Sequence, residues 1–326
     1  MKNFQIIKAL SSGSAVSSIA KESSAMFIAG GTNLVDLMKK GVTEPDKLID
    51  INGLDLKKIE FLSGKVSIGA LAKNSQVAED KSIKENYPLL ALALAAGASQ
   101  QIRHMATVGG NMLQRTRCSY FYNTDMPCNK RKPKSGCGAI GGANRMHAIF
   151  GASDSCIAVH PSDMCIALAA LDAKVLVEGP KGKREIKFAD FHRLPGNTPE
   201  KDNNLDNKEI ITSVEIPDNN FKKYVHYLKV RDRSSYAFAL ISVAVGLDIK
   251  NNVINDARLA MGGVAHKPWR LTETEEYLKG KTVSAETFRH AADLAMKGAK
   301  SYGENDFKLT LGPNAITEAL TIAASK

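Results

Sequence analysis

Four of the five cysteines of this 326-residue chain lie within one stretch of 39 positions, as Cys118, Cys128, Cys137 and Cys156. Cysteines that only fill a core would be scattered along the chain. Four thiolates are the usual ligand set of an iron–sulfur cluster. The clustering therefore predicts a redox metal centre and, with it, electron transfer. The fifth, Cys165, falls in an apolar stretch and is expected to be a core residue.

The spacing of the four cysteines leaves other interpretations open. The gaps are nine, eight and 18 residues long. Structural zinc sites usually contain close C-x2–4-C pairs, which are missing here, but four thiolates also suit zinc. Disulfides would require an oxidising compartment. Four unrelated thiols are the remaining alternative.

Two glycine pairs could bring the backbone close to a phosphate. Gly30-Gly31 follows an apolar run, and Gly109-Gly110 follows Thr107-Val108. Glycine permits close approach of the backbone, and free N–H groups at the start of a helix favour pyrophosphate. Neither pair fits the G-x-G-x-x-G or Walker pattern. Taken alone, each pair is better explained by an ordinary turn than by a ligand site.

The seven histidines show no spacing typical of a metal site. His160 directly precedes Pro161-Ser162-Asp163 and is the best candidate among them to contact a cofactor. No nucleophile–base arrangement and no carboxylate pair can be identified. The residues therefore favour electron transfer over hydrolysis.

The pattern of apolar residues predicts the elements that must position these groups. A strand, helix, strand, glycine turn and helix open the chain, and a helix rich in Ala and Leu follows at 88–98. The cysteine segment has little periodicity. After Pro217, β-branched strands joined by a tight Asn251-Asn252 turn, then helices, indicate a separate α+β domain. Further helices are predicted at 164–171, 273–278, 285–297 and 314–324.

Composition fits a globular protein of two or three domains, with 44% hydrophobic residues. The net charge is +10, but the basic residues are spread out, apart from Lys130 to Lys134. We expect a basic surface for an acidic partner or an anionic cofactor rather than for nucleic acid. No apolar run reaches membrane-spanning length, and the start of the chain lacks the features of an export signal.

Taken in order, the motifs resemble the FAD-binding medium subunit of the molybdenum hydroxylases, the family of xanthine dehydrogenase, aldehyde oxidoreductase and carbon monoxide dehydrogenase. The resemblance extends from about residue 4 to residue 324. The matching sequences are Ala29–Leu34 with Met38-Lys39, Ile68–Ala70, Ile102-Arg103, Ala106–Asn111 and Pro161–Asp163.

The segment between the last two of these motifs is longer than is usual in that family. Asn111 and Asp163 are 52 positions apart, and the extra residues contain the four clustered cysteines. The insertion resembles that of the subset whose flavin subunit binds a [4Fe–4S] cluster. Residues 114–118, 144–145 and 231–240 are most similar to the bacterial periplasmic-type aldehyde oxidoreductases, and less similar to the 4-hydroxybenzoyl-CoA reductases.

The resemblance implies a role for each matching residue. Cys118, Cys128, Cys137 and Cys156 would hold the cluster. The FAD contacts around the pyrophosphate would be Phe27, Ile28, Ala29, Gly30, Gly31, Thr32, Asn33 and Leu34. Thr107, Gly110 and Asn111 would lie along the pyrophosphate and ribityl chain, and Ser162 and Asp163 at the sugar chain. Ile211 would lie beside the flavin, and Lys229 near the isoalloxazine. A cation there would favour the anionic reduced flavin. The alternative for Lys229 is a solvated strand lysine.

The implied fold is α+β, an FAD-binding fold of the vanillyl-alcohol-oxidase/PCMH type. Two α/β subdomains would span residues 1–55 and 56–217, with the cluster insertion at about 112–160. A C-terminal α+β domain, with an antiparallel sheet and helices, would span residues 218–326.

The resemblance also implies partners. A large subunit would carry the molybdenum cofactor and oxidise an aldehyde. A small subunit would carry two [2Fe–2S] clusters and pass electrons to the FAD. An external acceptor would then reoxidise the FAD. The assembly would be a heterotrimer or its dimer. Alternatives are a subunit of a 4-hydroxybenzoyl-CoA reductase-like or xanthine dehydrogenase-like enzyme, or a zinc-stapled scaffold without catalysis.

One departure from the family concerns the electron acceptor. The xanthine dehydrogenases have an acidic residue where this chain reads Tyr236-Ala237-Phe238-Ala239, so direct use of NAD⁺ is not expected. We expect the chain to fold in the cytoplasm. Export to the periplasm would then depend on a twin-arginine signal on a partner subunit.

Overall fold

A computed structural model describes all residues from Met1 to Lys326. Its strands form three separate sheets, of three, five and four strands. Each sheet falls within one of the three predicted domain ranges, although the division at residues 55 and 217 stays a prediction. No helix combines the length and the apolar character needed to cross a bilayer.

The first sheet is parallel and small. Its strands pair in the order β1-β3-β2, and helices cross between them. The elements are β1 (Gln5–Lys8), α1 (Ser12–Ala20), β2 (Ala25–Ile28), α2 (Leu34–Lys39) and β3 (Lys47–Asp50). The Ser11 side chain caps α1 by accepting a bond from the Ser14 N–H. The turn from β2 to α2 contains the first glycine pair.

The second sheet is antiparallel, in the order β4-β5-β8-β6-β7. Eight helices and five strands make up this part: β4 (Ile59–Leu62), β5 (Lys65–Gly69), α3 (Asn74–Glu79), α4 (Lys81–Asn86), α5 (Pro88–Ala96), α6 (Gln100–Met105), α7 (Val108–Met112), α8 (Ser119–Tyr122), α9 (Asp163–Ala170), β6 (Lys174–Gly179), β7 (Gly182–Lys187), α10 (Phe188–Phe191) and β8 (Ile210–Pro217).

 The α8 helix lies inside the insertion between α7 and α9. The α5 and α9 helices pack against each other and contribute to the largest buried core of the molecule.

The third sheet is also antiparallel, in the order β12-β11-β10-β9. Its elements are β9 (Tyr224–Val230), β10 (Ile241–Lys250), β11 (Val253–Gly262), β12 (Trp269–Arg270), α11 (Thr272–Leu278), α12 (Ala285–Ala295) and α13 (Phe307–Ala324). Asn251 and Asn252, which join β10 to β11, both have positive φ, at 49° and 63°. This confirms the predicted tight turn, because asparagine tolerates that conformation better than most residues.

The insertion between α7 and α9 has one short helix, α8, and is otherwise irregular. All three parts of the chain hold it in place. Phe121 and Cys128 pack with Leu37 of α2 in a small buried cluster. From the C-terminal domain, Tyr302 O accepts a hydrogen bond from Asn144 Nδ2 at 2.7 Å. The insertion is therefore a packed part of the fold.

The predicted mixed α+β class is confirmed. Strand pairing refines it, because the sheet of the second part is wholly antiparallel, which makes that part α+β rather than strictly α/β. The prediction missed β8, which lies at the centre of that sheet. It also missed short helices such as α3, α4 and α6, which offer too few residues for a helical period to be recognised.

The start of the last helix was predicted wrongly. The α13 helix begins at Phe307, not at residue 314, and contains Pro313. A glycine followed by a proline, as at Gly312-Pro313, is typical of a break in a helix. In the structure a Cβ on Gly312 would lie 2.7 Å from Met296 Sδ. Close packing of α13 on this side chain accounts for the glycine, and tertiary contact outweighs the local signal.

Candidate functional site

A cleft of about 970 Å³ lies between the first two sheets and the start of the third. Its size is at the upper end of the range for small-molecule sites. Every predicted FAD contact except Ser162 lines it, although these residues come from five distant parts of the sequence: Phe27, Ile28, Ala29, Gly30, Gly31, Thr32, Asn33, Leu34, Thr107, Gly110, Asn111, Asp163, Ile211 and Lys229. The fold thus brings these residues to one surface.

The first glycine pair forms one wall of this cleft. A Cβ on Gly30 would lie 2.0 Å from the carbonyl oxygen of Met105, at the end of α6. Gly31 has a φ of 70°, in the left-handed region. The sequence reading attributed the pair to a ligand. The structure shows that Gly30 is also needed where two segments of the chain's own backbone meet.

The second glycine pair lies opposite and is held by side chains. Thr107 Oγ1 accepts a hydrogen bond from the Gly110 N–H at 3.3 Å. Ser162 Oγ donates to Asn111 Oδ1 at 2.5 Å and accepts from the Cys165 N–H at 3.1 Å. Ser162 therefore lies behind the wall of the cleft, where it positions Asn111. Its predicted contact with the flavin's sugar chain stays a prediction.

Lys229 is not a solvated strand lysine. Its Nζ lies 2.7 Å from Asp163 Oδ2, and the two side chains are only 5% and 8% exposed. Lys229 Nζ also donates to Ala96 O at 3.0 Å. Tyr227 Oη donates to Asp163 Oδ1 at 2.8 Å. Burial, with the carboxylate beside it, raises the pKa of Tyr227 well above its usual value. A fixed cation–carboxylate pair thus faces the cleft.

The four clustered cysteines line a second, narrow cavity inside the insertion. An isolated β-bridge joins Cys128 to Cys137, and Cys118 and Cys137 are half-buried. Burial raises the pKa of Cys118 to about 12 and that of Cys156 to about 11. Without a metal these thiols would stay protonated at neutral pH, whereas a bound metal deprotonates its thiol ligands.

The structure bears on two of the interpretations left open by the spacing, disulfides and zinc. All five cysteines are free, so the structure contains no disulfide. No three of the four clustered Sγ atoms lie within 4.8 Å of one another. With Zn–S bonds of about 2.3 Å, tetrahedral zinc needs sulfurs closer than this. Four thiol side chains on one cavity are a donor set that could hold a four-iron cluster.

Buried lysines flank the cysteine cavity. Lys130, itself part of its lining, is 2% exposed and pairs with Asp202. Lys308 is fully buried, and its Nζ donates only to two carbonyls, His147 O at 2.9 Å and Gly263 O at 2.7 Å. Burial lowers the pKa of Lys308 to about 7, with Arg145 contributing. A negative cluster nearby would stabilise both cations.

A third cavity, of about 330 Å³, connects the other two. It shares Arg117, Met146 and Phe238, among others, with the large cleft, and Thr116, Cys118 and His147 with the cysteine cavity. His160, the predicted cofactor contact, lines this connecting cavity rather than the large cleft. Arg117 borders the cleft and is bonded directly to Cys118, so the two predicted cofactor sites share a wall.

Several site residues escaped the sequence analysis. Lys130 was counted in an exposed basic run, but its charge is buried. Asp202 lies in a long loop and also accepts a bond from Arg115 Nε at 2.7 Å. These two partners, Lys130 and Arg115, lie 72 and 87 positions from Asp202 in the sequence. Nothing in the local sequence of either partner signals such a contact.

Two known protein families match this chain over almost its whole length. The family described as "FAD binding domain in molybdopterin dehydrogenase" matches residues 2–219, and "CO dehydrogenase flavoprotein C-terminal domain" matches residues 226–321. The aldehyde oxidoreductase FAD-binding subunit PaoB of Escherichia coli K12 is 44% identical over the full length of both chains. The glyceraldehyde dehydrogenase medium chain of Sulfolobus acidocaldarius is 29% identical over 83% of this chain and 78% of its own.

Solved structures show the same fold. Carbon monoxide dehydrogenase from Hydrogenophaga pseudoflava superposes with a TM-score of 0.78 at 23% identity, over 99% of this chain and 98% of its own. Quinoline 2-oxidoreductase from Pseudomonas putida 86 superposes with a TM-score of 0.77, also at 23% identity, over 100% of this chain and 99% of its own. From the sequence matches and the fold together, this chain belongs to the FAD-binding medium subunits of the molybdenum hydroxylase family.

Proposed function

We propose that this chain is the electron-transfer subunit of a molybdenum-dependent aldehyde oxidoreductase and carries both FAD and a [4Fe–4S] cluster. The observation that carries this proposal is the position of the four clustered cysteines on one cavity beside the FAD cleft. The aldehyde assignment draws on the full-length similarity to the Escherichia coli FAD-binding subunit.

In this proposal the cleft holds FAD, which supplies the ability to accept and pass on electrons. The glycine pairs would lie along the pyrophosphate, where a backbone without Cβ atoms allows close contact. Lys229 would lie near the isoalloxazine, and its pairing with Asp163 keeps its position fixed. Ile211 would pack beside the ring system.

The chain would work only with partners. A large subunit with the molybdenum cofactor would oxidise the aldehyde, and a small subunit with two [2Fe–2S] clusters would deliver electrons to this one. Relatives described as medium subunits or medium chains fit such an assembly. Because both cofactors would lie within the folded chain, loading would precede any export to the periplasm.

Iron analysis of two matched cysteine variants tests the cluster. We expect Cys128→Ser to lose the iron and sulfide of the wild-type protein while keeping its flavin. Cys165→Ser is the control, since Cys165 is fully buried in the main core and does not line the cysteine cavity. If both variants keep the iron, or if the wild-type protein contains zinc in place of iron, the cluster proposal is wrong.

A substrate panel on the assembled enzyme tests the reaction. Aldehydes should bleach the flavin absorption of this subunit within the complex, whereas 4-hydroxybenzoyl-CoA with a reductant should not be turned over. The opposite result would favour the reductase alternative.

A further inference from the structure

One histidine lies directly against a cysteine of the cluster cavity. His147 Nε2 is 3.1 Å from Cys118 Sγ. Both residues line the cysteine cavity and the connecting cavity. His147 is not among the residues that the sequence pattern assigned to either cofactor. The contact joins positions 29 apart in the chain.

The surroundings of His147 bury the residue and anchor its backbone. The residue is 5% exposed. Its backbone oxygen accepts hydrogen bonds from Lys308 Nζ at 2.9 Å and from Asn305 Nδ2 at 3.3 Å. These bonds tie the residue to the start of α13. The backbone of His147 is therefore anchored to the C-terminal part of the chain, and its ring contacts Cys118 from that position.

The two ring nitrogens have different environments, which indicates where the proton lies. Nδ1 is buried and has no hydrogen-bond partner. A proton on Nδ1 would leave a buried donor unsatisfied, which is costly. A metal-bound cysteine is a thiolate and can only accept. The tautomer with the proton on Nε2 satisfies both conditions, because that N–H then points at Cys118 Sγ.

We propose that His147 is a positioning residue that donates a hydrogen bond from Nε2 to the Cys118 thiolate and raises the reduction potential of the cluster. This rests on the proposed function, in which Cys118 is a cluster ligand. Hydrogen bonds to cluster sulfurs are one of the ways in which a protein sets cluster potentials. A donor stabilises the reduced cluster, which is more negative, and so favours reduction.

Two substitutions of His147 separate this role from simple packing. In His147→Gln the amide nitrogen can occupy the place of Nε2 and keep a donor. In His147→Leu the volume is largely kept but the donor is lost. His192→Gln is the control, because His192 is also buried but bonds to Met112 O at 2.9 Å and does not line the cysteine cavity.

The experiment is an EPR-monitored redox titration of the purified holoprotein and these three variants. At a fixed potential near the wild-type midpoint, His147→Leu should lower the ratio of reduced to oxidised cluster about tenfold, equivalent to about 59 mV for a one-electron couple. His147→Gln and His192→Gln should stay close to the wild-type protein.

Three results would overturn the inference. An unchanged ratio in His147→Leu would show that the contact does not act on the cluster. Equal shifts in His147→Leu and His147→Gln would indicate packing alone. Loss of iron from His147→Leu would make His147 a ligand or an assembly residue. Absence of iron from the wild-type protein would instead reject the proposed cluster itself, and with it the premise of this inference.

Discussion

At the residue scale, the buried charges are the features that most need a bound cofactor or a partner to explain them. Lys229 and Asp163 face the flavin cleft as a nearly buried pair. Lys308, close to the cysteine cavity, has only carbonyl partners. Burying a charge is costly unless it is paired. Both observations fit cavities that hold charged, redox-active groups.

The ion pair at the cleft gives a stability prediction. Lys229→Met should destabilise the protein by about 3–5 kcal/mol, because it leaves the Asp163 carboxylate buried without its cation. We expect a lower thermal midpoint of the FAD-loaded protein and a lower flavin content. The double variant Lys229→Met/Asp163→Asn should recover part of the lost stability. If the single variant is as stable as the wild-type protein, the pair is not the buried contact described above.

Sequence reasoning succeeded at this scale where residue type and spacing carried the chemistry. Cys118, Cys128, Cys137 and Cys156 were selected by spacing and resemblance, and the fold places them on one cavity. Lys308 and Asp202 could not be recognised in the same way. Burial distinguishes Lys308, and contacts with Lys130 and Arg115 distinguish Asp202. Both are properties of the folded chain.

At the element scale, the turns that carry the glycine pairs position the cleft. The first turn connects β2 to α2, and its Gly30 packs against the last residue of α6. The second begins α7, where Thr107 caps the helix. Both turns were recognised from the sequence. The close contact of Gly30 with Met105 could not be, because it depends on how two separate segments pack.

Substitution of this glycine tests the contact. Gly30→Ala would place a Cβ 2.0 Å from Met105 O, so one backbone segment would have to move. We expect a loss of about 1–3 kcal/mol of stability and weaker FAD retention after gel filtration. Gly13→Ala, in α1, is the control.

The control site is open, since a Cβ on Gly13 would approach nothing closer than 4.0 Å. Alanine there should leave stability unchanged or raise it slightly, because it favours a helix more than glycine does. Equal losses in the two variants would contradict the steric explanation of Gly30.

At the scale of the whole molecule, three sheets surround one set of connected cavities. The sequence predicted the order of its parts and the mixed α+β class. It did not predict β8 or the early start of α13. The formation of a central strand, and the continuation of a helix through a proline, depend on packing against neighbouring elements. The insertion had no readable periodicity, yet contacts from distant segments make it a packed structure.

Buried histidines predict an acid-sensitive fold. Burial lowers the pKa of His192 and of His266 to about 4, and that of His160 well below its usual value. In the unfolded chain the pKa of a histidine is about 6.5. Between these values the unfolded state binds more protons, so stability should fall as the pH drops from about 6.5 towards 4.

The expected slope is about 1.4 kcal/mol per pH unit for each such histidine. Denaturant unfolding at a series of pH values measures it. His192→Gln should make the slope shallower, because one of the three groups no longer takes up a proton on unfolding. A stability that is constant across this range would contradict the assignment of these residues as buried and neutral.

In the proposed function, FAD and an iron–sulfur cluster occupy neighbouring cavities of this one chain. The most direct test is the absorption spectrum of the anaerobically purified protein, before and after dithionite. We predict flavin bands over a broad iron–sulfur shoulder, with both bleached on reduction, and a Cys128→Ser spectrum that keeps only the flavin bands. A protein that stays colourless after reconstitution with FAD, iron and sulfide would contradict the account.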